Sequence, residues 1–482
     1  MTSTMAGNGD GIAPTIKAIE RRSIDYVPES ERHGRPHRLF FIWWSANMQM
    51  TTVLTGVLAA VFGLTFLWAL VAIIIGVAIG GLIMALHSAQ GPVLGIPQMI
   101  QSRAQFGFIG AIVPVAVSVI MYVGFFAASN LLGGQAINAV APHIPLTAGI
   151  IICAILTTLL AVAGYDAIHR WAGYCGWAFL VAFLALTISL FARGLVPSTV
   201  WHFGSLQVGP FLLMLATSAI WVISYAVYVS DYSRYLPAGT DRSKTFWYTY
   251  WGGCISSAWL LAFGALLGVI LPKSIEDTTA VTLSLAGPVK IPLMIIIAAG
   301  VIFVDALNAY GASLCFLTIT EQGRKILGTG RGARVGTLVG VGLVGTILGV
   351  SASPHFLTDY SNFLFLLLYF LIPWSAINLV DFYLVSRGQY DLRSIFDIHG
   401  QYGQVRVWAV ICYAIGFLVE IPFMNTTLFE GPVAKSMNGG DISWIIGLIV
   451  SGGLFYIGSR MGLVPAHQPA LTGATAAASA SE

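Results

Sequence analysis

The apolar stretch from Ile291 to Thr320 contains a single charged residue, Asp305, and is bounded by Lys290 and Glu321. In a helix that rises about 1.5 Å per residue, Asp305 would lie about 22 Å from either flanking charge. Asn308 follows one turn later on the same face. Charge is costly at the centre of a bilayer, so an acid and an amide at this depth are typical of an ion or substrate path.

The composition is that of a polytopic membrane protein. Of the 482 residues, 57% are hydrophobic and 9% are charged, whereas about 25% are charged in a soluble domain. The net charge of +3 indicates no nucleic-acid partner, because the basic residues are spread over loops. The five cysteines lie in apolar spans without CxxC spacing, so we expect neither a disulfide framework nor a metal site.

Twelve apolar spans can be recognised, most of them near the 20 residues that cross a bilayer as a helix. Their approximate bounds are 39–62, 66–87, 109–138, 146–164, 172–192, 208–229, 247–271, 291–319, 335–352, 361–385, 405–424 and 442–459. Residues 1–37 are predicted to form a flexible cytoplasmic arm without a secretory signal, and residues 38–463 the transmembrane domain. Residues 464–482 are predicted to be a disordered tail.

Loop charges predict the orientation in the membrane. With the N-terminus inside, 19 of the 23 Lys and Arg residues fall on the cytoplasmic side. Cytoplasmic loops carry this excess of basic residues in membrane proteins generally. We therefore expect a multi-pass protein of the cytoplasmic membrane with both termini in the cytoplasm.

Polar side chains occur in the middle of the first span, FFIWWSANMQMTTVLTGVLAA. Asn47 and Gln49 would need partners at membrane depth. Hydrogen bonds between helices could supply them, as could an unwound helix that lines a cavity. We favour a substrate or ion site, with interhelical bonding as the alternative.

The third and sixth spans supply aromatic rings. Phe125 and Ser129 lie four residues apart in MYVGFFAASNLLGG, and Trp221 and Tyr225 belong to a stripe in WVISYAVYVSDYSRYLP. Rings at helical spacing pack in a core or an interfacial belt more often than they bind a ligand. From spacing alone, core packing is the better interpretation of both sets.

Charged residues near span ends complete the candidate set. Asp231 and Arg234, three apart at the end of the sixth span, favour a gate or an anchoring ion pair. Glu420 lies near the outer end of the eleventh span, where it can reach the interface or pair. No HExxH or GxSxG motif is present, and the nine histidines fall in loops or near span ends. We therefore expect no enzymatic activity, no metal and no cofactor.

Six motifs in order resemble the purine/cytosine permease family of nucleobase–cation symporters. The match covers the chain from about Ile24 to Arg460, and the motifs are specific for the family more than for a substrate. They are FIWWSANMQ, GIPQMIQSRAQFGFIGA, MYVGFFAASNLLGG, SYAVYVSDYSRYLP, ALNAYGASL and IPWSAINLVDFYLVSRGQYD.

The resemblance implies an all-α fold of two five-helix inverted repeats with two extra C-terminal helices. The repeats would cover about 39–192 and 208–385, and the peripheral helices about 405–459. Such folds break the first and sixth spans at the midplane and bind substrate between them and the third and eighth spans.

The resemblance also implies a planar heterocycle stacked between aromatic residues of spans three and six. The span-three ring falls on Phe125, where relatives often carry Trp, and the position one turn later falls on Ser129, where the hydantoin transporter carries Gln. The span-six ring falls on Trp221, or on Val222 if the register slips by one. The amides that bind the edge of the heterocycle in this family, in spans one and eight, correspond to Gln49 and Asn308. The predicted substrate-binding set is Asn47, Gln49, Phe125, Ser129, Trp221, Tyr225 and Asn308.

The resemblance also implies a coupling ion, which we expect to be a proton or sodium. Sodium-coupled relatives place a Ser/Thr pair in span eight. In this sequence the corresponding positions fall near Val304 and Asp305, so the pair of hydroxyl groups is missing. A buried carboxylate can take a proton, or it can ligate sodium as an anion. We favour proton coupling through Asp305.

Together these features predict a secondary active symporter that imports a cytosine- or purine-type nucleobase by alternating access. The alternatives are a sodium-coupled transporter of an allantoin, hydantoin or thiamine-type heterocycle, and a non-transporting membrane sensor on the same scaffold. The expected partners are a small planar nitrogen heterocycle and the bilayer, with no obligatory protein partner.

Overall fold

The structure is a computed structural model that describes residues 25–163, 165–322, 331–352 and 355–464, and the side chains within them except 165–175, 321–322 and 331. In this part of the chain the regular structure is helical, apart from one isolated bridge between Asn425 and Glu430. The predicted all-α class is confirmed.

Twenty α-helices, α1 to α20, follow one another along the described chain. They are Arg38–Asn47, Met50–Val61, Phe66–Ser88, Gly91–Leu94, Gln98–Phe106, Ile112–Val140, Leu146–Ala163, Tyr165–Ala192, Val208–Ile223, Val229–Ser233, Arg242–Ile270, Lys273–Glu276, Thr278–Leu285, Lys290–Gln322, Arg331–Ala352, Phe356–Val380, Leu392–Ile395, Val407–Glu420, Pro432–Ser436 and Ser443–Arg460. Short 3-10 turns cover Glu29–Glu31, Ser198–Trp201, Ser224–Val227, Gly287–Val289 and Ile421–Phe423, and Asp381–Val385 is π-helical.

Within the described residues, nine helical segments are long and apolar enough to cross a membrane, and three shorter apolar helices accompany them. Large side chains on the outer faces of α7 and α8 are exposed, as expected where helices meet lipid: Leu159 is 61% exposed and Val181 65%. The chain is thus a multi-pass membrane protein. The count of twelve spans and the five-plus-five repeat stay predictions.

Two of the membrane helices are interrupted. Between α1 and α2, Gln49 adopts extended backbone angles (φ −150°, ψ 158°). After α9 the chain tightens into the 3-10 turn Ser224–Val227, and Tyr228 (φ −142°, ψ 5°) separates this turn from α10. The interruptions lie where the family resemblance implies broken first and sixth spans. By contrast, α14 continues without a break through Asp305 and Gly311.

Part of the predicted N-terminal arm is packed against the helices. The N–H of Val27 donates to Gly95 O (2.9 Å), and Arg32 Nη1 donates to Pro92 O (2.7 Å). The N–H of His33 donates to Tyr235 O. Residues 25–37 therefore contact the ends of several helices. The rest of the predicted arm, 1–24, and residues 465–482 of the predicted tail lie outside the described residues.

Glycines let α3 lie close to α9. A Cβ on Gly80 would be 2.5 Å from Ala219 O, and one on Gly76 would clash with Leu215 O. Small residues at four-residue spacing allow this backbone approach in membrane helices. The contact joins α3 to the helix that carries Trp221.

The variant Gly80→Ala is expected to destabilise the protein by about 1–3 kcal/mol, because the added methyl group must displace backbone. The matched control is Gly340→Ala in α15, where a Cβ meets nothing within 4 Å, so this variant should be neutral or slightly stabilising. Thermal unfolding of the purified proteins in detergent measures both. Equal melting temperatures would contradict the close packing of α3 on α9.

Candidate functional site

A cavity of about 810 Å³ lies between the two interrupted helices and helices α6, α8 and α14. Sites for small ligands have volumes of about 300–1,000 Å³. The cavity extends from Gln49 and Trp221 at the helix breaks to Asp231 and Arg234 at the end of the second interrupted helix. Its lining is largely aromatic, with amide and hydroxyl groups at the inner end.

Asn47 ends α1 and joins it to three other segments. Its Oδ1 accepts hydrogen bonds from Trp221 Nε1 (2.8 Å) and from the Tyr225 hydroxyl (3.0 Å). Its Nδ2 donates to Trp43 O (3.0 Å) and to Ser256 Oγ (3.1 Å). Both lone pairs and both N–H groups of the amide are thereby used. Asn47 therefore fixes the orientation of two rings that line the cavity.

The aromatic wall has edge-to-face geometry. The rings of Phe125 and Trp221 are nearly perpendicular (89°), with centroids 5.9 Å apart. Phe125 also contacts Phe363 at 5.2 Å. A heterocycle stacked between two rings needs about 3.5–4.0 Å on each face. Phe125 and Trp221 therefore must separate and become parallel before they can sandwich a planar ligand.

Asp305 is fully buried at the inner end of the cavity. Its Oδ2 accepts from Asn130 Nδ2 (2.7 Å), and its Oδ1 accepts from Asn308 Nδ2 (3.1 Å). The Ser129 hydroxyl is a further neighbour. Asn308 and Ser129 line the cavity, whereas Asp305 lies directly behind them. Neutral polar side chains therefore separate the acid from the cavity.

Asp231 and Arg234 line the opposite end of the cavity. Asp231 Oδ1 accepts from the N–H of Gln98 (2.8 Å), which anchors α10 to α5. Arg234 is buried, and its Nη1 donates to Asp25 O (3.1 Å) while its Nε approaches Asp231 O at 3.3 Å. The two residues thus tie the mouth of the cavity to α5 and to the N-terminal segment.

A chain of buried amides connects two of the sequence motifs beside this mouth. Gln90 Nε2 donates to Asn378 Oδ1 (2.8 Å), and Asn378 Nδ2 approaches Gln105 Oε1 at 3.4 Å. Gln105 Nε2 donates to Asp381 Oδ2 (2.7 Å). Asp381 also accepts from the hydroxyl of Tyr390 (2.7 Å). The motifs around α5 and after α16 therefore form one polar contact that sequence reasoning did not assign.

The structure brings most of the predicted site residues together. Those that line the cavity are Gln49, Phe125, Ser129, Trp221, Tyr225, Asn308, Asp231 and Arg234. Two of the predicted site residues, Asn47 and Asp305, do not line the cavity. Asn47 is behind the lining because its amide is used to hold the rings, and Asp305 is behind Asn308. The roles of all these residues stay predictions.

Further aromatic residues line the cavity and were not in the predicted set. They include Trp43, Tyr122, Tyr228 and Tyr232. Tyr228 extends the stripe of Trp221 and Tyr225 at helical spacing, and Tyr122 lies one turn before Phe125. Helical spacing could have identified Tyr228 and Tyr122 as candidates, but it does not distinguish a ring that lines a cavity from one that packs in the core.

Glu420 differs from its expected position at the interface. It is fully buried, and both carboxylate oxygens have no hydrogen-bond partner among the described residues. Gly447 of α20 lies directly against the carboxylate. The packing of α18 on α20 encloses the side chain, so it cannot reach the membrane surface. Among the described residues, no cluster of three or more His, Cys, Asp or Glu could hold a metal ion.

The sequence matches a family described as permeases for cytosine/purines, uracil, thiamine and allantoin over residues 26–447. YxlA of Bacillus subtilis, which carries the name of a purine-cytosine permease, is 43% identical over 439 residues, or 91% of this chain and 95% of that protein. The purine-cytosine permease fcyB of Emericella nidulans is 26% identical over 457 residues, or 89% and 86%.

The fold is similar to that of Mhp1, a nucleobase-cation-symport-1 family transporter. The inward-facing conformation gives a TM-score of 0.70 at 16% identity and covers 92% of this chain and 94% of Mhp1. The closed conformation with bound bromovinylhydantoin gives 0.71 at 16% identity and covers 95% and 98%. At this identity the similarity establishes the fold.

The variant Asn47→Ala is expected to destabilise the protein by about 2–4 kcal/mol, since the ring donors of Trp221 and Tyr225 would remain buried without an acceptor. Thermal or denaturant unfolding measures the loss. In the double variant Asn47→Ala/Trp221→Phe the indole donor is gone as well, so the loss should be smaller than the sum of the two single losses. Strictly additive losses would contradict the coupling between these side chains.

Proposed function

Because this chain belongs to the family of permeases for cytosine/purines, uracil, thiamine and allantoin, we propose that it imports a cytosine- or purine-type nucleobase. The protein would carry the base across the cytoplasmic membrane by alternating access, and transport would be coupled to protons through Asp305. The observation that carries the coupling is a fully buried carboxylate whose two close hydrogen-bond donors are neutral amides.

The chemistry of the cavity suits a flat heterocycle. Cytosine and purines present ring faces and alternating donors and acceptors along their edges. The cavity supplies rings from Phe125 and Trp221 and carboxamides from Gln49 and Asn308. Aromatic contacts of this kind contribute about 0.5–1.5 kcal/mol beyond burial. A carboxamide can match a donor and an acceptor at once, and a wrong base would leave buried groups unpaired.

The surroundings of Asp305 favour coupling to a cation. A buried charge without a cationic partner is strongly unfavourable, so binding a proton or a metal ion relieves it. The described donors to Asp305 are neutral: the amides of Asn130 and Asn308, and the Ser129 hydroxyl. The Ser/Thr pair of sodium-coupled relatives has no counterpart at Val304 and Asp305. These features support the proton over sodium.

Coupling to the substrate would pass through Asn308. When Asp305 is ionised, Asn308 Nδ2 donates to it. When Asp305 is protonated at Oδ1, this oxygen becomes a donor, so Asn308 Nδ2 loses its charged acceptor and can donate to the substrate instead. Ion and substrate would therefore each favour the binding of the other.

Alternating access is supported by the asymmetry of the cavity. It extends toward Asp231 and Arg234, on the predicted cytoplasmic side. In the other direction the Phe125–Phe363 contact and the hydrogen bond between Thr55 and the Tyr360 hydroxyl (2.7 Å) close the path. In the proposed cycle this arrangement would correspond to an inward-facing state, and outward opening would require these two contacts to break.

The variant Asp305→Asn tests proton coupling in proteoliposomes. With one proton per nucleobase, a gradient of one pH unit supports about tenfold accumulation in the wild-type protein. Asp305→Asn should abolish this accumulation but retain exchange of labelled for unlabelled base. The exposed acid Asp359 provides the control, since Asp359→Asn should accumulate normally. Full accumulation by Asp305→Asn would exclude the proposed coupling.

Ligand-induced thermal stabilisation tests the substrate class and separates it from the coupling ion. True ligands should raise the melting temperature according to RT ln(1 + [L]/Kd). We expect the largest rise with cytosine or purines, independent of sodium and greater at low pH. A rise only with allantoin, hydantoins or thiamine would favour the other substrate class, and a sodium requirement would favour sodium coupling. A sensor would show the rise without uptake.

A further inference from the structure

A second cavity, of about 320 Å³, lies at the start of α18 and shares no lining residue with the central cavity. Its walls are formed by Gln105, the segment 401–406, the first turn of α18 and the residues that follow α20. Arg406 is the cationic side chain in this lining. The transport mechanism proposed above uses none of these residues.

The guanidinium of Arg406 is buried and incompletely bonded. The residue is 8% exposed, and its Nε and Nη1 have no hydrogen-bond partner among the described residues. Its guanidinium carbon lies 4.9 Å from the centre of the Tyr402 ring. A guanidinium has five donors and stays charged in proteins. Two of its buried donors thus lack an acceptor, which is costly unless a ligand supplies one.

The acid that faces this arginine is already engaged. The Asp381 carboxylate accepts from Gln105 Nε2, the Tyr390 hydroxyl and Ser386 Oγ at 2.7–2.8 Å. Burial lowers the pKa of Arg406 from its ordinary value, although the charge of Asp381 acts in the opposite direction. Asp381 therefore offsets only part of the cost of burying the guanidinium.

The first turn of α18 adds a second feature that favours an anion. This helix of 14 residues has Arg406 at its N-cap position and no side-chain cap. The N–H groups of a first helical turn lack intrahelical acceptors and carry partial positive charge. The buried Nε1 of Trp408, in the same turn, also has no acceptor among the described residues. The Trp408 Nε1 lies against Gly458 of α20, so the donors that line the pocket are those of Arg406 and of the first turn of α18.

The rim of the pocket is apolar and exposed. Val405 is 47% exposed, Val407 63% and Leu463 48%, and all three line the pocket. In a membrane protein, such side chains at the end of a spanning helix contact acyl chains. A ligand that fits would combine an oxyanion with a hydrocarbon chain, which a free phosphate ion does not have.

We propose that this pocket binds the phosphate group of an anionic phospholipid, with Arg406 and the first turn of α18 as donors. The acyl chains would lie against Val405, Val407 and Leu463. Basic pockets between helices at the cytoplasmic surface bind anionic headgroups in other membrane proteins. The bound phosphate would complete the hydrogen bonding of Arg406 and hold α18 against α5.

Native mass spectrometry and thermal unfolding of the full chain test the proposal with phosphatidylglycerol, phosphatidylcholine and inorganic phosphate as probes. Phosphatidylglycerol should remain bound to the wild-type protein and raise its melting temperature by several degrees. The other two probes should give little or no rise. An equal rise with inorganic phosphate would overturn the lipid assignment, and no rise with phosphatidylglycerol would overturn the site.

Two variants locate the effect. Arg406→Gln should lose both the bound lipid and the temperature rise. Val407→Glu places a negative charge at an exposed lining position and should do the same, while an acid in a first helical turn is compatible with folding. Arg460→Gln, at the exposed end of α20, is the matched control and should behave as the wild-type protein. Retained lipid binding in both pocket variants, or equal loss in Arg460→Gln, would overturn the local site.

The chain's own terminal segment is the competing occupant, because the lining includes Leu463 and Val464. A chain that ends at Val464 should bind phosphatidylglycerol as the full chain does. If the wild-type protein shows no lipid effect and the shortened chain gains one, the tail occupies the pocket and the proposal is wrong.

Discussion

The hydrogen bonds of the Asn47 amide connect the two interrupted helices on which the cavity depends. A broken helix leaves polar groups at membrane depth, and these must be satisfied inside the protein. Asn47, at the end of α1, accepts from Trp221 and Tyr225 of the second interrupted helix and donates to Ser256 of α11. The cavity walls therefore have fixed positions relative to one another, although both helices are discontinuous.

The family and the helical class could be predicted because their signals are local. Membrane helices appear as apolar runs, and six motifs in order identified the permease family that the comparisons confirm. The acid at 305 was visible as a single charge in a long apolar run. The resemblance to the permease family also implied that Phe125, Ser129 and Asn308 belong to one site, and all three line the cavity.

The partners of these residues could not be predicted, because they are distant in sequence. Asn130 donates to an acid 175 positions away, and Gln90 to an amide 288 positions away. Helical spacing shows which residues share a face, but it does not show which face of another helix they meet. Asn47 and Gln49 illustrate this limit: both are amides in one polar segment, yet only Gln49 lines the cavity. The enclosure of Glu420 by α20 depends on tertiary packing in the same way.

Under the proposed coupling, the spacing along α14 would let the buried Asp305 act on a ligand through Asn308, without touching that ligand. Asp305 and Asn308 lie one turn apart on a continuous helix, so the helix itself fixes the distance over which a change of charge must act. At the other end of the cavity, Asp231 holds α10 to α5 through the N–H of Gln98. That helix in turn belongs to the amide chain that ends at Asp381. A movement of the second interrupted helix that separates Trp221 from Phe125 would therefore also strain the contact at the cavity mouth. Rearrangement of the ring pair and of the mouth would then be parts of one transition, because a single interrupted helix carries both Trp221 and Asp231.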